Sequence, residues 1–130
     1  MKLNLLLTGN ELMAGDIIDS NSAMVAQQLA PQGWRIHKKV TVGDDSALLQ
    51  KEIDQLCEEG DVLIINGGLG PTVDDLTAAV LAQLCDRPLT EHPEALAHLS
   101  HWCEQRGFSM NASNRKQAIL PEGCDIIANV

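Results

Sequence analysis

Residues 62–77 run Val62-Leu63-Ile64-Ile65-Asn66-Gly67-Gly68-Leu69-Gly70-Pro71-Thr72-Val73-Asp74-Asp75-Leu76-Thr77. The apolar run Val62–Ile65 has no polar alternation, the pattern of a strand buried on both faces of a parallel sheet. Three glycines and a proline break it, and a helical pattern follows from about Asp74 to Leu84, with Leu76, Val80 and Leu84 expected inward. A strand that feeds a helix through a glycine-rich turn is the unit of an α/β fold.

Moving outward, residues 2–8 read as a Leu-rich strand ended by Gly9. A polar loop follows, and Ser20 or Asn21 is placed to cap a helix ending near Leu29. Residues 34–42 form the next strand. Ile36, Val40 and Val42 share one face with an intruding Lys38, while Arg35, His37, Lys39 and Thr41 make the other face wet, as at a sheet edge. Leu49, Ile53, Leu56 and Cys57 mark a helix that stops at Gly60. On the other side of the glycine stretch, Thr90 is the expected cap of a helix over 91–106, and 117–120 and 124–128 are expected as short strands. The fold class that results is α/β, a three-layer arrangement of a mostly parallel sheet with helices on both faces. With strand two at an edge, strands one and three interior and right-handed crossovers, the order is 2-1-3. The loops 8–21 and 67–75 then flank a crevice at the carboxyl ends of the strands, where open α/β sheets take ligands.

Composition narrows the chemistry. The chain has 130 residues, enough for one domain, with 9 Lys+Arg against 18 Asp+Glu and a net charge of -9. The acidity is spread over both halves. A nucleic-acid footprint and a polybasic membrane patch are therefore disfavoured, and with Trp34, Trp102 and Phe108 as the only aromatics, so is a base-stacking platform. Cys57, Cys85, Cys103 and Cys124 form no Cys-x-x-Cys pair and read as reduced thiols of a cytoplasmic protein. No run approaches the length of a membrane helix.

The glycine stretch leaves backbone N–H groups open to an anion without being a Walker A loop or a GxGxxG. Its plain alternative is a tight turn with Thr72 or Asp74 as helix cap. Two adjacent carboxylates, Asp74 and Asp75, exceed what a cap needs. Beside a phosphate they require a bridging divalent cation, Mg²⁺ or Mn²⁺, or a role toward sugar hydroxyls or ring nitrogens. Thr8-Gly9-Asn10-Glu11, with Asp16, Asp19 and Asn21 behind it, is the second candidate, against a solvated loop. Thr41–Asp45 reads most simply as a turn and helix start. Asn111–Gln117 is dense in donors, and Arg115 or Lys116 would supply counter-charge to phosphate. His98 and His101 lack a third ligand, and no serine- or cysteine-hydrolase signature is present.

Together, Thr8–Leu12, Gly15–Asn21, Thr41–Asp44, Gly67–Thr77 and Asn114–Ala118 resemble, in order and spacing, the amino-terminal domain of the CinA competence/damage-inducible family, itself similar to molybdopterin-binding domains of the MoaB/Mog type. The resemblance covers residues 2–128. It implies a MoaB/Mog-like fold over 1–130, short of a last loop, strand and helix that relatives carry beyond Val130. It further implies either metal-dependent cleavage of ADP-ribose-like nucleotide sugars to AMP and ribose 5-phosphate, or non-catalytic binding of a molybdopterin-like or nucleotide ligand. An accessory role through oligomer contacts is a third reading. No nicotinamide-nucleotide deamidase activity is expected. The implied catalytic and metal residues are Glu11, Asp74 and Asp75. The ligand-binding residues are Thr8, Gly9, Asp16, Asn21, Asp44, Gly67, Gly68, Gly70, Thr72, Asn114, Lys116 and Gln117. A homo-oligomer, dimer or trimer, is expected, with a phosphorylated nucleotide or pterin as partner and no nucleic acid or membrane.

Overall fold

The computed structural model describes residues 1–128. Two compact units follow one another along the chain, Met1–Gly68 and Leu69–Val130.

The first unit is built on strand β1, Leu3–Thr8, all six residues of which are buried. Leu5 and Leu6 have no exposure at all, so both faces of this strand are covered. Burying a leucine side chain contributes about 1.5–3 kcal/mol, which makes β1 the anchor of the unit. Strand β2, Ile36–Val42, and strand β3, Val62–Asn66, pair with β1 on either side, both parallel, in the expected order β2-β1-β3. Between β1 and β2 lie α1, Asn10–Ala14, and α2, Asn21–Leu29. Helix α3, Ser46–Glu59, joins β2 to β3 and touches all three strands. Its buried residues Leu49, Ile53 and Leu56 repeat at helical spacing, and Asp45 caps it by accepting the Leu48 N–H at 2.9 Å.

Asn4 interrupts the leucines of β1 and is fully buried. Its Nδ2 donates to the Leu56 carbonyl in the last turn of α3 at 2.9 Å, satisfying a group that a helix end otherwise leaves open. Gly60 makes room for it, because a Cβ there would stand 2.6 Å from Asn4 Nδ2. Asn4 Oδ1 has no partner among the described residues.

Three expectations for this unit need correction. Strand β3 is not interior: it pairs only with β1 among the described residues, Val62 is 38% exposed and the rest of the strand is half-buried. An apolar run reports hydrophobic surroundings, not a neighbour on each side. The polar loop after β1 contains a helical turn, α1, which carries Glu11. Ser20 holds the N-cap position of α2 as expected, but neither its side chain nor that of Asn21 makes the capping bond. Asp19, one residue earlier, supplies that bond, its two carboxylate oxygens accepting from the Ser22 N–H at 3.0 Å and from the Ser22 hydroxyl. Lys38 enters the apolar face of β2 as expected and carries its Nζ out to Glu59 at 3.1 Å.

The second unit holds helix α4, Thr77–Leu84; strand β4, Leu89–Glu91; helix α5, Pro93–Gln105; helix α6, Ala112–Lys116; and strand β5, Ile119–Pro121. Strands β4 and β5 pair antiparallel. Helix α4 starts at Thr77 rather than near Asp74, and buries Thr77, Val80 and Ala82, with Leu76 and Leu84 only half-buried. Thr90 lies inside β4. The cap of α5 is His92, whose Nδ1 accepts the Ala95 N–H at 3.3 Å while Nε2 lies 3.1 Å from the Cys124 carbonyl. Nδ1 accepts, so the proton sits on Nε2 and donates to that carbonyl. Residues 124–128 form no strand. Among the described residues no helix is long and apolar enough to cross a membrane.

Candidate functional site

All three strands of the first unit are parallel, so their carboxyl ends lie together: Thr8 pairs with Val42, and Leu7 with Asn66. The chain leaves this end through Gly9, Gly43 and Gly67. Gly9 has φ +154° and Gly67 φ +110°, conformations that favour glycine. A Cβ on Gly67 would also meet the Thr8 carbonyl oxygen at 2.4 Å, so the loop after β3 passes directly over the end of β1. Thr8 is buried, and its hydroxyl donates to the Gly43 carbonyl at 3.4 Å.

Side chains lace these exits together. Asn10 and Asp44 bond reciprocally: the Asn10 N–H donates to Asp44 Oδ2 at 3.3 Å, and the Asp44 N–H to Asn10 Oδ1 at 2.9 Å. The Asn10 amide lies over Gly43, where a Cβ would stand 2.8 Å from Asn10 Oδ1. Asn21 Nδ2 donates to Asn66 Oδ1 at 3.1 Å. Glu11 folds back above Gly9, its Oε2 3.0 Å from where a Cβ would be. Asp16 is exposed, its N–H donating to the Glu11 carbonyl at 2.9 Å. The structure therefore gathers Thr8, Gly9, Glu11, Asn21, Asp44, Gly67 and Gly68 at one end of the sheet. Asn10 belongs to the second candidate stretch, Thr8–Glu11, whereas Asn66 lies outside the expected site residues. A polar residue closing an apolar strand just before Gly67-Gly68 was the signal for Asn66. Asp19, besides capping α2, lies 3.6 Å from Lys39; the Ser22 hydroxyl and N–H, with the Lys39 charge, hold its carboxyl below the usual carboxylate range against the opposing effect of burial.

In the second unit the segment Gly70–Asp75 closes on itself. Asp75 Oδ2 accepts from the Thr72 N–H at 2.9 Å and the Thr72 hydroxyl at 2.8 Å. Gly70 lies against that carboxylate, where a Cβ would stand 2.7 Å from Asp75 Oδ2. Lys116 Nζ donates to the Thr72 carbonyl and, at 2.8 Å, to the Asp75 carbonyl. Burial pushes the Asp75 carboxyl up, but the bonds from Thr72, the Gly70 N–H and the Lys116 charge outweigh it, and the group ends below the usual carboxylate range. This corrects the capping alternative for Thr72: the pair Thr72–Asp75 stabilises the loop, and α4 begins beyond it with no side-chain cap. Asp74 is exposed and makes no hydrogen bond among the described residues.

Asn111 caps α6 by accepting the Asn114 N–H at 2.8 Å, which sets Lys116 one turn on. Arg115 points elsewhere, to Glu91 at 2.9 Å, so of the two expected counter-charges only Lys116 reaches the glycine loop. Asn114 is half-buried. Gln117 is exposed and lines a groove of about 500 Å³ with Leu99, Trp102 and Ile127. No group of three or more His, Cys, Asp or Glu side chains among the described residues is arranged to hold a metal ion.

A family model described as a probable molybdopterin binding domain matches residues 4–127. A CinA-like protein of Colwellia psychrerythraea is 61% identical over 98% of this chain, and one of Cyanothece sp. is 45% identical over 96%. The chain spans about 30% of the length of each of these relatives. Among solved structures, the CinA protein of Thermoplasma acidophilum superposes with a TM-score of 0.85 at 26% identity, covering 98% of this chain and 75% of that one. The molybdopterin biosynthesis enzyme MoaB of Thermus thermophilus superposes with a TM-score of 0.61 over 88% of this chain and 70% of that one; at 22% identity this shows the fold alone.

Proposed function

The chain belongs to the molybdopterin-binding-type domain family, in its CinA-like branch, and on that premise we propose that it binds a small phosphate-bearing heterocycle, a pterin or an adenine nucleotide. One observation carries the reading. Glycine-bearing exits are gathered at the carboxyl end of a parallel sheet and held in place by side chains, and their lack of side chains of their own lets a ligand approach closely. Within the second unit, the Gly70–Asp75 loop is preformed on its own account, its shape fixed by Asp75 from within and by Lys116 from α6. A pinned loop loses little entropy on binding, which favours affinity for a small ligand. Asp16, Asn114 and Gln117 are proposed to add polar contacts.

The second reading is metal-dependent cleavage of an ADP-ribose-like pyrophosphate to AMP and ribose 5-phosphate. Asp74 favours it, an exposed carboxylate without a hydrogen bond among the described residues. Glu11, Asp74 and Asp75 are hard oxygen ligands of the kind Mg²⁺ and Mn²⁺ take. Against it, Asp75 Oδ2 is already committed to Thr72, and no three-ligand group is assembled among the described residues. A divalent ion would supply charge neutralisation at the diphosphate; Lys116 offers part of that charge without one.

The deciding experiment incubates the 130-residue chain with ADP-ribose, with and without Mg²⁺ or Mn²⁺, following AMP release, beside calorimetric titration with AMP. Binding without turnover is the expected outcome. Metal-dependent AMP release would promote the second reading, and absence of both binding and turnover would remove each of them. No ammonia release from nicotinamide mononucleotide is expected.

A further inference from the structure

Asn66 is the last residue of β3 and stands immediately before Gly67-Gly68, two residues without side chains and with φ +110° and +72°. It is half-buried on a strand end, whereas Asn21 reaches it from the exposed start of α2. Each side-chain amide has a carbonyl acceptor and an NH₂ donor. The single bond between them uses Asn21 Nδ2 and Asn66 Oδ1. The Asn66 NH₂ group and the Asn21 carbonyl remain. Turning both amides over leaves the same complement, one donor and one acceptor, because two like groups cannot face each other. The pair therefore presents a fixed donor-plus-acceptor pattern whichever way the amides are assigned.

The bonds that hold the loops do not use that pattern. A phosphate needs only donors. A sugar hydroxyl adapts to either group by rotating. A flat heterocycle does not adapt, because its edge has donors and acceptors in fixed places. Adenine offers a donor amino group beside a ring-nitrogen acceptor, which an amide matches. We infer that Asn66, acting with Asn21, is a specificity-determining residue that reads the hydrogen-bonding edge of the ligand's heterocycle and accepts one with a donor beside an acceptor, as in adenine. This rests on the proposed binding function and adds to it the residues that read the ring.

Asn66→Asp tests it with almost no change in shape. A carboxylate still accepts from Asn21 Nδ2, so the contact between β3 and α2 survives, but the remaining donor becomes an acceptor. Adenine, with one amino donor on that edge, loses its match. Guanine, with a ring N–H beside an amino group, presents two donors and gains one. Titrations of wild type and variant with AMP, GMP and ribose 5-phosphate separate the effects, since ribose 5-phosphate reports the added negative charge alone. The expected result is an AMP-to-GMP affinity ratio shifted toward GMP by roughly tenfold or more, the scale of one such contact. Asn21→Asp should shift it the same way and serves if Asn66→Asp fails to fold. An unchanged ratio at wild-type melting temperature overturns the inference while leaving the binding function standing. Wild-type affinity for AMP no better than for ribose 5-phosphate does the same. No binding of any of the three overturns both.

Discussion

The two units hold their loops by different chemistry. In Met1–Gly68, side-chain amides take part in each link: Asn21 to Asn66, Asn4 to the end of α3, and Asn10 to Asp44, whose carboxylate accepts in return from the Asn10 N–H. In Leu69–Val130 the Gly70–Asp75 loop is held by a carboxylate within it and an ammonium from α6. Amides specify direction and are indifferent to acid and salt. Charged groups supply stronger bonds, but those respond to pH and ionic strength. The first arrangement suits recognition of a shaped edge, the second suits attraction of an anion.

The sharpest way to break this comparison is at the glycines. Gly67→Ala combines a positive φ with a collision against the immobile Thr8 carbonyl, and should cost about 3 kcal/mol in unfolding titrations. Gly70→Ala meets only the end of the Asp75 side chain, which can swing aside, and should cost about 1 kcal/mol while loosening the loop. Equal losses would mean that the two loops are held alike. Next, Asn4→Ala removes the donor to Leu56 and should destabilise by roughly 2 kcal/mol, read as a lower denaturation midpoint, because a buried carbonyl is left unpaired.

These same places show what the sequence could reveal. Helical spacing located α3, and the leucine run located β1, since burial of a periodic face is a local property of the chain. The order β2-β1-β3 followed from chemistry and handedness. That β3 pairs only with β1 among the described residues was not visible, because Val62–Ile65 would read alike with a neighbour on one side or both. His92 displaced Thr90 as a cap because pairing with β5 drew residues 89–91 into a strand, a long-range effect. Likewise, Asp75 turned back to Thr72 and delayed α4 to Thr77. The motif residues of the first unit came together as the parallel strands required. The roles of Asn10 and Asn66 depend on partners 34 and 45 residues away, which no local pattern encodes.

Two smaller effects sharpen the comparison. Lys116→Ala should weaken AMP binding by roughly tenfold or more, the scale of a charged hydrogen bond, while the melting temperature falls little because the loop keeps its Thr72–Asp75 bonds. Equal AMP affinities would remove Lys116 from the site. The smallest effect concerns acid. The Asp75 carboxyl lies below its ordinary value in the folded chain, so its stabilisation is complete above the usual carboxylate range and is lost as pH falls through the lowered value, below about pH 4. Asp19 behaves the same way in the first unit. Melting curves across that range should be less steep in pH for Asp75→Asn than for wild type; identical slopes would show that the carboxylate charge plays no part.

Calorimetric titration of the 130-residue chain with AMP and with a phosphorylated pterin tests most directly the proposal that it binds a phosphate-bearing heterocycle. Saturable binding of at least one of them is the predicted result. Absence of saturable binding by both, with the chain folded, would contradict it.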